Sequence, residues 1–234
     1  MREQPEDFEM FTNEIENEYA RKLDELAKIE NSLRLSMSES DEELKGLLRN
    51  AMVVMLYAYF EGFCKKVFEI YVTYLNGKNE KVENVKSALA AATIAQEFDL
   101  LENPQHAPTG YGIDYKENGR LKRYARRIEF TELFSTLMDK TVSIPETILN
   151  TESNLRPEIL NQILFNLAFD YRVVEREKGY LNKLVNYRND IAHGTFSRPI
   201  SPEDFNNCKS TTQLLMERIK NEAIKNYKEK TYLK

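Results

Sequence analysis

Between Leu48 and Tyr74 the apolar residues return at intervals of three and four: Leu48, Met52, Met55, Tyr59, Phe63, Val67, Ile70 and Tyr74. Val53, Leu56 and Phe60 broaden the stripe. A strand turns every second side chain to one face, whereas an α-helix does so at steps of three and four. This run therefore predicts a helix over about Glu42–Leu75, and its apolar width makes it the central helix of a core. Gly62 interrupts it at a cost of about 1 kcal/mol relative to alanine, for which a close neighbouring helix or a mild kink is the expected reason. Asn76-Gly77 ends it.

No segment alternates at period two, and the rest of the chain repeats the helical pattern. Pro5-Glu6-Asp7 reads as a first turn with acids at the positive end of the helix dipole. Phe11, Ile15, Tyr19, Leu23, Leu26 and Ile29 then carry an amphipathic helix over Phe8–Leu35. Ser38–Asp41 breaks it and supplies caps. Val82–Phe98 reads as a third helix with the small-residue run SALAAAT. Glu102–Gly119 holds two prolines, three glycines and His106, and is expected to be a surface loop or a partly ordered insertion. Arg120–Met138 resumes helical spacing. Thr141–Ser153 is a polar connection split by Pro145. Pro157–Phe169 and Glu175–His193 follow as helices, the second closed by Gly194. Ser201-Pro202-Glu203-Asp204 combines an N-cap, a proline and an acid, and opens a last helix over 202–230. The expectation is one all-α domain over 1–234, a bundle of five to eight helices with long amphipathic members and one extended loop.

With 234 residues the chain can bury one sizeable core. The formal net charge of −5 carries no footprint of a non-specific nucleic-acid binder, although a local basic patch can still serve. The two cysteines, Cys64 and Cys208, lie far apart and suggest buried thiols, not a metal or redox pair. The polar, acidic MREQPEDFEM has no signal-peptide core, and the most apolar run, Ala51–Phe60, is about ten residues long and too short to cross a bilayer. These features predict a soluble cytoplasmic protein with no membrane partner.

One stretch carries chemistry: YRNDIAHG, Tyr187–Gly194. Leu184, Arg188 and Ile191 are spaced by four and three, so Arg188 interrupts an apolar stripe. Asn182, Asn186, Asn189 and His193 form a second, polar row. Arginine presents a rigid fork of donors suited to phosphate oxygens, and histidine titrates near neutral pH. Together they are what metal-free phosphodiester cleavage needs: an anion clamp beside a proton-transfer group. Asp190 is a polar neighbour, but no second close carboxylate suggests a two-metal nuclease. Cleavage through a cyclic phosphate needs both a base and an acid, and a two-fold dimer that faces two copies of His193 would supply them. By spacing alone, an arginine and a histidine five apart near a terminal glycine are more often an ordinary polar helix end.

Two further features leave alternatives open. Glu61, within the apolar ladder, faces the cleft, orients Arg188, or points to solvent. Lys116, Arg120, Lys122, Arg123, Arg126 and Arg127, interleaved with Tyr115 and Tyr124, form an RNA-backbone track with stacking tyrosines, a solvated helix face, or a dock for an acidic partner.

The string LVNYRNDIAHG (Leu184–Gly194) resembles the signature of the HEPN superfamily, in which an arginine, a polar residue, spacers and a histidine end a late bundle helix. VVMLYAYFEGFCKKVFEIYVTYL (Val53–Leu75) and SNLRPEILNQILFNLAFD (Ser153–Asp170) look like the central and preceding helices of its MAE-type branch. The resemblance implies a helical bundle, usually dimeric, and many members are metal-independent endoribonucleases of toxin–antitoxin, abortive-infection or other prokaryotic defence systems. It implies Arg188, His193 and Asn189 as catalytic residues; Asp190, Glu61 and Tyr187 are the expected supporting residues. No cofactor is implied, and the implied partners are RNA, a second copy of the chain, and a cognate antitoxin or activator. The competing expectation is a non-catalytic HEPN-like module that binds RNA or a protein partner.

Overall fold

A computed structural model of the chain describes residues 5–37, 41–110, 118–151, 154–195 and 198–234. Among them lie eight α-helices: α1 (Pro5–Met37), α2 (Glu42–Gly77), α3 (Ser87–Thr93), α4 (Ala95–Glu102), α5 (Gly119–Asp139), α6 (Pro157–Asn166), α7 (Lys178–Ala192) and α8 (Pro202–Lys228). Short 3-10 turns at Val82–Asn84, Glu146–Leu149 and Tyr171–Val174 join some of them. No strand occurs among the described residues, where extended pairing is limited to the isolated bridges Lys81–Thr141 and Val85–Leu233. The described residues are all-α. The chain contains two compact units, Met1–Tyr74 with Glu146–Thr231, and Leu75–Pro145 with Tyr232–Lys234.

The first unit is organised by aromatic residues on the apolar stripes. Phe11 of α1 stacks on Tyr227 of α8 with ring centroids 4.1 Å apart, and Tyr74 meets Tyr227 edge-on at 6.0 Å. Tyr71 of α2 meets Phe169 edge-on at 4.6 Å. Phe11, Phe60, Phe63, Val67 and Tyr227 are fully buried. Each such side chain contributes about 1.5–3 kcal/mol by leaving water. Charged pairs set the register of α8 along α1: Lys220 reaches Glu16 at 2.8 Å and Lys209 reaches Glu30 at 2.6 Å. Partly exposed pairs of this kind contribute only about 0–1 kcal/mol each, so the aromatic layer carries the stability.

Close approach on α2 occurs at Gly46, not at the expected Gly62. A β-carbon at Gly46 would stand 2.4 Å from Pro199 Cβ, whereas one at Gly62 would meet only Lys22 Nζ at 3.8 Å. The segment beyond the motif helix is seated here: Arg49 Nε donates to Ile200 O at 2.7 Å, and Ile200 N donates to Asn50 Oδ1 at 3.0 Å.

In the second unit Phe98 of α4 stacks on Phe130 of α5 at 5.4 Å. Asn76 spans the entry and exit of the unit, donating Nδ2 to Ile144 O at 3.1 Å and accepting Ile144 N at 2.8 Å. The helix expected over Val82–Phe98 is divided into a 3-10 turn, α3 and α4. Val85 bridges Leu233, and Lys86 N donates to Tyr232 O at 2.8 Å, so the backbone there is committed to extended pairing. Ile94, buried at φ −103° and ψ 26°, then separates α3 from α4. The helix expected to reach Phe169 stops at Asn166, because Ala168 turns left-handed at φ 59° and lets Phe169 N close on Leu164 O at 2.9 Å.

Candidate active site

The motif helix α7 is held by its apolar side, with Leu181, Leu184 and Val185 buried. Its polar side is anchored to α8: Tyr187 Oη donates to Asp204 Oδ2 at 3.1 Å, and Lys183 Nζ takes the other carboxylate oxygen. Lys183, chiefly, holds the Asp204 carboxyl below its usual range, while burial and then Asp204 raise the Tyr187 phenol. Tyr187, expected to support the site, has its hydroxyl turned to the start of α8, where it anchors the helix.

The helix ends at the motif itself. Gly194 adopts φ +69°, a conformation costly for any residue with a β-carbon. Gly194 N donates to Ile191 O at 3.1 Å and Thr195 N to Asp190 O at 2.9 Å, which closes the last turn. His193 is the C-cap, with its N–H on Asn189 O at 2.9 Å, and its side chain is exposed. Asp190 is exposed as well, and its carbonyl also accepts from Thr195 Oγ1 at 3.2 Å.

Arg188 is half-buried and held on two sides. Its Nη1 donates to Asn189 Oδ1 at 2.7 Å, so adjacent motif residues share one hydrogen bond. Its Cζ lies 4.6 Å from the centroid of the Tyr57 ring, within the range of a cation–π contact. Tyr57, on α2, is 1% exposed, and its hydroxyl accepts from Leu155 N at 2.6 Å. Burial above all pushes this phenol up to about 12; the Glu61 carboxylate, one turn along α2, adds to the rise, against the opposing Leu155 N–H and Arg188. The structure therefore brings Glu61, Tyr57, Arg188 and Asn189 together. Tyr57 is the member that the sequence does not announce. Its spacing of four from Glu61 places the two on one side of α2, but nothing in the sequence pairs that side with Arg188.

The basic residues lie in the second unit. Arg120, Lys122, Arg123 and Arg126 line an open cleft of about 750 Å³ together with Asn118, Gly119, Glu102 and Pro104. Asn118 caps α5, its Oδ1 accepting from Arg120 N at 3.1 Å and Leu121 N at 3.2 Å. Arg120, Arg123, Arg127 and Tyr124 are exposed, and Lys122 is half-buried. Arg126 departs from the expected exposed track. It is 6% exposed, and its guanidinium donates to Leu101 O at 2.9 Å and His106 O at 3.3 Å. Its spacing on α5 turns it toward α4, where it satisfies one carbonyl in the last turn of that helix and one in the loop after it. Lys116 and Tyr115 lie outside the described residues. His106 is half-buried and pairs with Glu129 at 2.8 Å. Among the described residues no group of three or more His, Cys, Asp or Glu side chains is placed to hold a metal ion, and no helix is long and apolar enough to cross a membrane.

The chain belongs to the RiboL-PSP-HEPN family, which matches it over residues 17–225. The match covers Val53–Leu75, Ser153–Asp170 and the motif helix, and establishes the HEPN superfamily. The MAE-type branch is a finer placement that the match does not carry. Membership marks a nuclease or RNA-related module. Neither a curated protein nor a solved structure matches the chain.

Proposed function

We propose that this protein is a metal-independent endoribonuclease in which Arg188 and His193 act on the scissile phosphodiester and Asn189 supports them. The observation that carries the reading is the fixed guanidinium of Arg188, clasped by Asn189 and the Tyr57 ring, on the helix that ends in an exposed His193. A donor fork already oriented before substrate arrives stabilises charge on the phosphorane-like transition state without reorganising.

In the reaction the ribose 2′-oxygen attacks phosphorus and the bond to the 5′-oxygen breaks, giving a 2′,3′-cyclic phosphate and a 5′-hydroxyl. One group takes the proton of the 2′-hydroxyl and another delivers a proton to the leaving 5′-oxygen. His193 supplies one, and the partner's His193 supplies the other in a two-fold homodimer. Asp190 and Glu61 shape the polar surroundings, and Tyr187 keeps α7 on α8. Arg120, Lys122, Arg123 and Arg127 contact RNA phosphates, with Tyr124 offering an exposed ring for stacking. An enzyme of this kind works in the cytoplasm within a toxin–antitoxin or other defence system, restrained or triggered by a cognate antitoxin or activator.

The test is RNA cleavage in EDTA by the wild type beside His193→Ala and Arg188→Ala, with the product termini identified. Loss of cleavage in both variants and cyclic-phosphate termini in the wild type are expected. Cleavage that persists in both variants refutes the assignment. RNA that is bound by all three proteins and cut by none, even with its cellular partners present, identifies a non-catalytic RNA-binding module instead.

A further inference from the structure

We infer that Tyr57 is the positioning residue of the site: its ring fixes the plane of the Arg188 guanidinium, and its hydroxyl ties that plane to the segment that enters α6. The catalytic part of this inference rests on the nuclease reading above, whereas the geometric part does not.

A residue that only fills the core at this point of α2 has no use for a hydroxyl. Phe60 and Phe63, three and six positions on, are buried without one. Tyr57 is as buried as they are, yet its oxygen accepts a short 2.6 Å bond from Leu155 N, immediately before α6 begins at Pro157. The bond stops the ring from rotating or sliding, because a buried hydroxyl that leaves its only backbone donor loses a hydrogen bond it cannot replace. A ring so fixed presents a constant face, and the Arg188 guanidinium lies over that face at 4.6 Å. Arg188 sits on a stripe otherwise made of Leu184 and Ile191, where a charge needs compensation. The π-face and the Asn189 carboxamide provide it from two directions, and the guanidinium stays charged and oriented. Tyr57 is 1% exposed, so it acts through Arg188 and not on substrate.

Two measurements test this. The first is the Arg188 side-chain N–H resonance, assigned by its loss in Arg188→Lys. Tyr57→Phe, which keeps the ring but loses its tether to Leu155 N, is expected to shrink its ring-current shift, and Tyr57→Leu to abolish it. An unmoved resonance in Tyr57→Leu overturns the inference whether or not the protein cuts RNA. The second is steady-state cleavage with Phe and then progressively fluorinated phenylalanines at position 57, which keep ring shape while draining the π-face, and so remain informative if Tyr57→Leu does not fold. A stepwise fall in kcat of roughly tenfold across the series, with KM changed by less than about threefold, is expected for a cation–π platform that acts at the transition state. The unfolding midpoint across the same series should fall in the wild-type background and stay flat in Arg188→Ala, where no cation faces the ring. A kcat series that is flat, or a midpoint that falls equally in both backgrounds, assigns Tyr57 a merely structural role. A shifted Arg188 resonance in a protein that never cleaves RNA would leave the geometry standing and remove the nuclease reading.

Discussion

Two glycines on α2 should answer the same substitution with opposite signs. Replacing a glycine inside a helix by alanine normally stabilises by roughly 1 kcal/mol, because glycine loses more backbone freedom on folding. At Gly62 that gain is unopposed, since the new β-carbon meets only the end of the Lys22 side chain at 3.8 Å. At Gly46 the new β-carbon would lie 2.4 Å from Pro199 Cβ and 2.8 Å from Cγ, about an ångström inside ordinary contact. Proline cannot swing its ring aside, so the backbone must retreat and strain the clamp made by Arg49 and Asn50 on Ile200. Overpacking of this kind costs about 1–3 kcal/mol. Each clamp hydrogen bond lost costs a further ~0.5–1.5 kcal/mol. After the propensity gain, Gly46→Ala should be less stable than wild type by about 1–3 kcal/mol, and Gly62→Ala more stable by up to about 1 kcal/mol. Urea denaturation followed by circular dichroism measures both on one scale. If Gly46→Ala proves as stabilising as Gly62→Ala, the segment after the motif is not seated on α2.

The high phenol pKa of Tyr57 has a pH signature. Because the folded value of about 12 stands above the ordinary 10.0, the folded protein holds this proton more tightly. Its contribution is therefore complete below pH 10 and is lost as pH rises toward 12. Tyr57→Phe should flatten the alkaline limb of a stability–pH profile over that window; an unchanged slope would place the phenol in water. On α5, Arg123→Ala should weaken RNA binding and reduce the slope of log affinity against log salt by about one unit, with unfolding unchanged. Arg126→Ala should act the other way, lowering the unfolding midpoint by orphaning two carbonyls; an unchanged midpoint would show that the buried guanidinium is not structural.

The long helices were legible because their apolar periodicity spans many turns and because Pro5, Pro157, Ser201 and Gly194 mark their ends by local chemistry alone. The division of Val82–Phe98 was not, because its cause is distant: Val85 pairs with Leu233, and no window around Val85 contains that partner. The same distinction governs the site. Arg188, Asn189 and His193 lie within six residues, so their association is visible as a string. Tyr57 joins them from another helix, and a tyrosine in an apolar ladder looks like any other core aromatic until its ring is found beneath a guanidinium. Arg126 was misleading for a related reason. In sequence it is one more charge in a basic cluster, and only the carbonyls of Leu101 and His106 separate it from its exposed neighbours.

The pairing of Val85 with Leu233 also bears on the order in which the molecule can form. Leu75–Pro145 is a continuous stretch, yet its compact unit includes Tyr232–Lys234, whose backbone engages Lys86 through Tyr232 O at 2.8 Å and Asn84 through Lys234 N at 3.0 Å. During synthesis this stretch leaves the ribosome long before the residues that close it, and waits with exposed donors at Lys86 and an unfilled place for the buried Tyr232 ring. Contacts so far apart in sequence form late. Both units therefore close only with the C-terminal residues: the first when α8 docks on α1, the second when Tyr232–Lys234 reach Asn84 and Lys86.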